Sequence, residues 1–181
     1  MEKSQKSYPY QAERPHHRGK DIDPERIGEI LAQGEWGVLS TVAADGEPYG
    51  TPLGYAWDED RGELLIHTPP KGTKFNNIQQ DNRVCFTIVG SHKLVTDKFQ
   101  AEFESLVIFG RIFEIQDADE ALRAATIFCR RFAPHIVAEM NVDEADREIN
   151  DMAVMLDKAR AHMALFRIVP EHVSSKQRKR Q

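Results

Sequence analysis

A short apolar run, a Pro/Gly turn and the start of a helix follow one another within residues 64–78. The run 64–66 is typical of a strand that is covered on both faces, and the turn at 69–72 ends it. Phe75 and Ile78 then lie three residues apart, which is a helical spacing. The segment therefore predicts a buried strand that passes through a tight turn directly into a short helix.

The predicted helix start is a candidate phosphate site. Backbone N–H groups in a first helical turn have no intrahelical partners, so they attract anions. Two threonines and two lysines stand beside these groups, at Thr68, Lys71, Thr73 and Lys74. A polar strand-to-helix loop with solvated lysines would show the same local pattern, because short motifs often match by chance. The segment alone leaves both interpretations open.

Length and hydropathy favour one globular domain without a membrane span. A chain of 181 residues has room for a core, and no apolar run approaches the roughly 20 residues that a spanning helix needs. The N-terminus lacks the apolar segment of a secretory signal. Cys85 and Cys129 stand without CxxC spacing, which indicates free thiols in a reducing compartment. We therefore expect a cytoplasmic protein that does not bind membranes.

The charge distribution argues against a dedicated nucleic-acid binder. The formal net charge is −5, and two basic ends, 1–20 and 171–181, flank an acidic body. A nucleic-acid binder would show one broad basic face instead. The basic C-terminal end has the composition of a segment that touches RNA or an acidic partner, and also that of a solvated terminus. We do not expect nucleic acid as a partner.

The chain divides into an N-terminal arm, one domain and a basic tail. Residues 1–20 show no periodicity and are predicted to form an extended arm. Asp23 and Pro24 then begin a helix, as the N-cap and the first helical residue. The domain is predicted to span residues 21–172, and residues 173–181 form a basic C-terminal tail.

Alternating apolar residues and turn signals predict an α+β fold with an antiparallel sheet. We expect six strands, mostly connected by hairpins, and helices that flank a sheet closed into a barrel. The strands are predicted at 36–42, 49–57, 64–67, 84–89, 106–115 and 164–169. The helices are predicted to start at Pro24, at Thr73 and after an N-cap at either Asp117 or Asp119, with a fourth at 143–161. Residues 90–104 are ambiguous, with Leu94-Val95 as a candidate short strand.

No catalytic or metal-binding motif stands out in the sequence. A nucleophile elbow, a P-loop and a metalloprotease motif are all missing, and no Cys or His stands at a metal-finger spacing. No catalytic residue and no metal ligand is therefore assigned. A candidate anion site without a nucleophile or an acid–base pair suggests that a bound cofactor supplies the chemistry.

Several short motifs, taken in order, resemble a known family. The resemblance extends over residues 22–172. The matching pieces are 37–41 before the Asp45-Gly46 hairpin, 48–53, His67 followed by 72–74, 82–86 and 103–111. Their joint order and spacing are similar to those of the pyridoxamine 5'-phosphate oxidase-like FMN-binding split barrels. The closest likeness is to the nitroimidazole-resistance (Nim-type) branch.

The resemblance implies a homodimer with FMN in a groove at the subunit interface. It places the isoalloxazine edge against strand-two residues and the ribityl chain near the end of strand three. It also implies that the phosphate lies at the helix start and that one residue of a later strand lies near the site or the dimer seam. The implied cofactor-binding residues are Thr51, Pro52, Leu53, Gly54, His67, Thr68, Lys71, Gly72, Thr73, Lys74 and Ser105.

The implied activity is that of an FMN-dependent oxidoreductase. Reduced flavin would pass electrons to a small aromatic or nitro compound, while the protein supplies positioning and electrostatics. The C-terminal Arg/Trp pattern that reads pyridoxal substrates is not recognisable here, so vitamin B6 chemistry is not expected. The alternative is a non-catalytic protein of the same fold that carries flavin or haem. Trp36 and Trp57 suit either stacking on the flavin or packing in a core or dimer contact.

Overall fold

The computed structural model describes residues 21–96, 100–134, 158 and 162–178. The predicted arm, residues 1–20, lies outside this part of the chain. The predicted helix at 143–161 also lies outside it, except for residue 158. Both remain predictions.

Seven strands and three helices make up the described elements. In chain order they are α1 (Pro24–Gln33), β1 (Trp36–Val42), β2 (Pro48–Gly54), β3 (Ala56–Asp58), β4 (Glu63–Thr68), α2 (Thr73–Gln80), β5 (Arg83–Val95), β6 (Gln100–Glu114), α3 (Ala118–Phe132) and β7 (Ala164–Arg178). The buried strand, turn and short helix predicted at 64–78 are confirmed as β4 and α2.

The strands form one antiparallel sheet in the order β2-β1-β5-β6-β7-β4-β3. β2 and β3 stand at opposite edges of this order, although only Tyr55 separates them along the chain. One residue cannot bridge the width of a flat seven-stranded sheet, because neighbouring strands lie about 4.8 Å apart. The sheet therefore curls, which brings its two edges together at Tyr55 and gives the antiparallel α+β architecture that the sequence predicts.

The predicted number of six strands is wrong, because the predicted strand 49–57 is two strands that meet at Tyr55. Tyr55 is fully buried, and its hydroxyl donates to the carbonyl oxygen of Ile30 at 3.1 Å. Its backbone N–H donates to the carbonyl oxygen of Glu35 at 3.1 Å. Burial of the side chain and these two bonds fix Tyr55 at the corner between the two strands, and β3 continues on the other edge of the sheet.

The predicted end of the last strand near Pro170 is also wrong, because β7 continues to Arg178. Pro170 lies opposite Gly110, at a register irregularity between β6 and β7. Because proline is tolerated at such irregularities, it does not end the strand here. Residues 173–178, predicted as part of a basic tail, are paired with β6. In the ambiguous stretch 90–104, residues 90–95 form the last part of β5 and residues 100–104 form the first part of β6.

The helices start where the sequence places them, with one difference in capping. α1 begins at Pro24 as predicted, but the Asp23 carboxylate makes no capping hydrogen bond. Asp117 does cap α3, since its carboxylate accepts hydrogen bonds from the N–H groups of Asp119 and Glu120, each at 3.0 Å.

The core fills the concave side of the sheet, and α3 covers part of the convex side. The inner core includes fully buried side chains from β1, β4, β5, β6 and β7, among them Leu39, Ile66, Phe86, Ile108 and Phe166. α3 packs its small residues and Phe128 against β3, β4 and β7, where they contact Ala56, Leu65 and Leu165. This helix therefore lies over one half of the outer face.

The other half of the outer face carries exposed apolar residues. Cross-strand pairing places alternate residues of β1, β5 and β6 on the side opposite the core. The exposed large apolar side chains there are Trp36, Val38, Val42, Val89 and Phe109. We call this set the outer apolar face.

Among the described residues, no helix combines the length and apolar character that a membrane crossing requires.

Candidate functional site

The turn between β4 and α2 forms the start of the candidate phosphate site. Gly72 is the N-cap of α2 and has a φ of 99°, a conformation that residues with a Cβ rarely adopt. The N–H groups of Thr73 and Lys74 have no intrahelical partner because they lie in the first turn. Gly72 has no side chain that could cap them. Lys71 and Thr73 are exposed and Lys74 is half-buried. Two ammonium groups and free amide donors thus stand at one helix start, which suits a phosphate.

The second part of the site is β2, which lies at one end of the strand order. Within the described chain β2 pairs only with β1, so alternate backbone N–H and C=O groups face away from β1. The polar rim of a planar ring could bind to such groups. β2 also approaches β4 in the curled sheet. The fold therefore brings the predicted residues Thr51–Gly54 near the strand that ends in His67 and Thr68.

The predicted residues of β2 differ in which of their groups a ligand could contact. The Leu53 side chain lies in the core, with 8% of its surface exposed, so only its backbone is available to a ligand. Pro52 is exposed and Gly54 is half-buried. They lie opposite Val38 and Trp36 respectively, on the convex side of the sheet.

Two buried hydroxyl groups near this edge have no hydrogen-bond partner among the described residues. They are Oγ1 of Thr51 and Oγ1 of Thr68, and Thr68 is only 2% exposed. Buried polar atoms are normally hydrogen-bonded, so these two hydroxyl groups without a partner need an explanation. Both are predicted cofactor-binding residues, and the hydroxyl-rich ribityl chain of FMN would supply donors and acceptors. The residues present therefore fit this cofactor.

His67 lies at the edge of the site and touches α3. Its ring meets the Phe128 ring edge-on, with 5.2 Å between centroids. Desolvation beside this ring lowers the pKa of His67 from its usual 6.5, although the residue retains exposed surface. The imidazole is therefore neutral at pH 7, as a group that meets an uncharged ring edge or a ribityl hydroxyl should be.

The end of α3 brings aromatic side chains that sequence reasoning missed as site residues. Phe128 and Phe132 follow the helical apolar stripe, which predicts core packing, but Phe132 is 44% exposed. It stacks on Phe128 at 5.9 Å, and its Cζ lies 3.7 Å from where a Cβ on Gly54 would stand. Trp36, opposite Gly54, is 64% exposed. No local signal separates such an aromatic from a core residue, because the position depends on how α3 packs on the sheet.

Ser105 is not brought close to the other predicted residues through the sheet of one chain. It lies on β6, and β1 and β5 separate β6 from β2 in the strand order. Its partner across the strands is Val89, in the outer apolar face. A role for Ser105 beside the cofactor therefore depends on a second subunit. Arg111, on the same strand, donates to Glu171 at 2.8 Å and to Asn82 at 3.0 Å, so its guanidinium group is ion-paired within one chain.

The site offers no evident nucleophile or metal centre. Burial raises the pKa of the Cys85 and Cys129 thiols, so both are protonated at neutral pH. No group of three or more His, Cys, Asp or Glu side chains in the described chain is arranged to hold a metal ion. The arrangement can bind a phosphorylated planar molecule, and it supplies no acid–base pair of its own.

A family model described as pyridoxamine 5'-phosphate oxidase matches residues 23–177. The chain belongs to this family. Its members are flavin-binding split barrels, and the candidate site residues of this family member all lie within the matched range. The predicted family is thereby confirmed.

Two solved structures and one relative of known activity are similar to this family member. The conserved hypothetical protein Rv2991 from Mycobacterium tuberculosis has a TM-score of 0.67 at 19% identity, covering 91% of this chain and 90% of that one. A candidate 5-nitroimidazole antibiotic resistance protein from Bacteroides thetaiotaomicron VPI-5482 has a TM-score of 0.62 at 22% identity, covering 91% and 95%. At these identities the two structures show the fold alone.

The relative is a 5a,11a-dehydrotetracycline/5a,11a-dehydrooxytetracycline reductase from Streptomyces rimosus subsp. rimosus. It is 39% identical over 64 residues, which cover 34% of this chain and 44% of the reductase. The match spans less than half of the length of that relative.

Proposed function

We propose that this protein binds FMN and uses the flavin to reduce a small aromatic or nitro compound. One observation carries the proposal: a helix start with Gly72 and Lys74 follows directly on a strand end where the Thr68 hydroxyl is buried without a partner. A phosphate would bind to the N–H groups and Lys74 at the helix start, and a ribityl chain would supply a hydrogen-bond partner for the Thr68 hydroxyl. Membership of a flavin-binding family supports it.

The residues have separate tasks in this proposal. N–H groups of α2, with Lys74 and Lys71, hold the phosphate dianion. The hydroxyls of Thr51 and Thr68 bind the ribityl chain, and the free backbone edge of β2 meets the polar rim of the ring. The bound flavin supplies the electron-transfer chemistry.

Aromatic side chains beside Gly54 support a planar aromatic substrate. Trp36 and Phe132 are both exposed on the side of the sheet that Gly54 faces. Stacking on exposed rings favours flat acceptors over flexible ones. The neutral imidazole of His67 beside Phe128 adds a polar contact without a charge. The tetracycline-type reductase among the relatives also acts on a fused-ring compound, which agrees with this substrate class.

A homodimer completes the proposed site. The outer apolar face, which includes Trp36, Val89 and Phe109, is uncovered in the described chain, and such faces mark interaction sites. A second copy on this face would bury Val89 and Phe109, leave Trp36 at the margin of the contact beside the cofactor, and bring its own Ser105, opposite Val89, toward the cofactor of its partner. The proposed dimer therefore accounts for the separation of Ser105 from the rest of the site.

The first test is the visible spectrum of the purified protein, before and after addition of FMN. We expect flavin absorption bands, and release of FMN rather than FAD on acid denaturation. A colourless protein that also ignores added FMN would contradict the proposal. A Soret band after haem titration, lost in His67→Ala, would instead favour the haem-carrying alternative.

The second test concerns turnover. The flavin is reduced chemically without oxygen, and a nitroaromatic compound is then added. We expect rapid reoxidation of the flavin together with loss of the nitroaromatic, more slowly in Phe132→Ala. Flavin that stays reduced with every aromatic acceptor offered would indicate simple carriage.

A further inference from the structure

A buried polar contact attaches α2 to β1. Nδ2 of Asn77 donates to Oγ1 of Thr41 at 3.0 Å. Asn77 is 5% exposed and Thr41 is 2% exposed, so water does not compete for this bond. Asn77 lies one helical turn after Thr73 and Lys74, the first residues of the candidate phosphate site.

The same hydroxyl also reaches β2. Oγ1 of Thr41 donates to the carbonyl oxygen of Tyr49 at 3.3 Å, and Tyr49 is its cross-strand partner. A threonine hydroxyl has one donor hydrogen and accepts through its lone pairs. Thr41 therefore binds α2 and β2 at once, and Tyr49 stands two residues before Thr51 on β2.

The other buried side chains that anchor α2 are apolar, and a solvent-exposed hydrogen bond from Nε2 of Gln79 to Oε2 of Glu114 at 3.2 Å adds a polar contact to β6. Phe75 meets Phe166 edge-on at 6.1 Å, and Ile78 is buried in the inner core. Apolar contacts hold the helix against the sheet but are non-directional. The hydrogen bond from Asn77 is directional, so it fixes the rotation of α2 and thus where its N–H groups point.

We propose that Thr41 is a positioning residue, which sets the phosphate end of the flavin site relative to the ring end. The inference rests on the proposed function, because it concerns the two halves of that site. Thr41 touches no ligand in this scheme. It aligns the helix start at Gly72 with the strand edge at Thr51 through Asn77 on one side and Tyr49 on the other.

The test compares the affinities of FMN and riboflavin, which lacks the phosphate, by quenching of flavin fluorescence. Thr41→Val keeps the side-chain volume and removes the hydroxyl. We expect about a tenfold rise in the Kd for FMN, a loss of about 1.4 kcal/mol, with a much smaller change for riboflavin. Thr41→Ser keeps the hydroxyl, and we expect it to retain the wild-type ratio of the two affinities.

A second variant separates positioning from stability. Thr41→Val alone leaves the Asn77 amide buried without its partner, which destabilises the fold. The double variant Thr41→Val with Asn77→Leu replaces both polar groups by apolar ones, which restores stability at much lower cost. We expect thermal stability near wild type but a reduced preference for FMN over riboflavin.

Two results would overturn the inference in different ways. A double variant with the wild-type FMN-to-riboflavin ratio would show that the contact is structural only, with the proposed function intact. A wild-type protein that binds neither flavin would overturn the proposed function, and the inference with it.

Discussion

Lys74 is the residue whose charge matters most at the proposed phosphate site. It is half-buried in the first turn of α2, beside the N–H groups of the candidate phosphate site. We expect Lys74→Ala to raise the Kd for FMN at least about tenfold, since charge-assisted contacts contribute roughly 1.5–3 kcal/mol. Riboflavin affinity, measured by the same fluorescence titration, should stay nearly unchanged.

A matched control is Lys93→Ala, on the β5–β6 hairpin beside Glu102. It removes the same charge away from α2 and should leave FMN affinity at the wild-type value. Equal losses of FMN affinity in both variants would mean that general electrostatic attraction holds the ligand and that Lys74 makes no specific contact with the phosphate.

His67 gives the fold a small dependence on pH. Its pKa in the folded protein is depressed below the usual 6.5 by desolvation, so the unfolded chain binds this proton more readily. The free energy of unfolding therefore falls as pH drops below 6.5 toward the folded-state pKa, and is regained as pH rises. Urea unfolding at pH 7.5 and pH 5.5 (roughly one unit on either side of the ordinary histidine pKa) should show a smaller pH effect in His67→Gln than in wild type. An identical pH effect in both would assign the loss to other groups.

At the scale of elements, an ion pair attaches α3 to the end of β3. The Asp58 carboxylate is buried, with 4% of its side chain exposed, and Nη2 of Arg123 lies 2.6 Å from its Oδ1. Arg123→Ala leaves this charge buried without its main partner. We expect a loss of about 3 kcal/mol in the free energy of unfolding, because Arg123 is partly exposed and the loss falls at the lower end for such changes.

Urea denaturation measures this effect, and Arg61→Ala is its control. Arg61 pairs with Glu120 at 3.0 Å, with both side chains more than a third exposed, so we expect a loss below about 1 kcal/mol. If Arg123→Ala cost no more than Arg61→Ala, α3 would be held by its apolar contacts alone.

Sequence patterns predict an element where its cause is local. The start of α3 depends on Asp117 and the N–H groups two and three residues later, and the β4–α2 turn depends on Gly72. The break at Tyr55 could not be predicted, because its cause is a pair of hydrogen bonds to Ile30 and Glu35. β7 continues beyond Pro170 because its pairing with β6 has a register irregularity at that point. This too is a tertiary feature.

The candidate site divides in the same way. Its phosphate end lies within one continuous segment, so the residue types alone suggested an anion site at 71–74. Its aromatic rim joins Trp36 on β1 with Phe132 on α3, and that juxtaposition exists only once the helix has packed on the sheet. The roles of all these residues in binding a cofactor remain predictions.

At the scale of the whole molecule, we expect the outer apolar face to hold two copies together. Val89 is 61% exposed on this face and lies opposite Ser105. Val89→Asp places a charge where the second copy would pack, so it should shift the protein from dimer to monomer in sedimentation experiments. FMN should then be lost more readily, since the proposed site needs both subunits.

Ala32→Asp is the control for this change, because Ala32 is exposed on α1, outside the outer apolar face. It adds the same charge and should leave both the oligomeric state and FMN retention as in wild type. A wild-type protein that sediments as a monomer with FMN bound would contradict the proposed dimer.

The position of β7 has a consequence for how the chain folds during its synthesis. β7 comes after every other described element, yet it lies between β6 and β4 in the sheet. Until β7 has been synthesised, β3 and β4 have no strand partner in the described chain except each other. The free edge of β4 therefore waits for Ala164–Ile168, which follow about a hundred positions later. A ribosome must release that late segment before the sheet can be completed, and until then the nascent hairpin is a surface for chaperones or for misassembly.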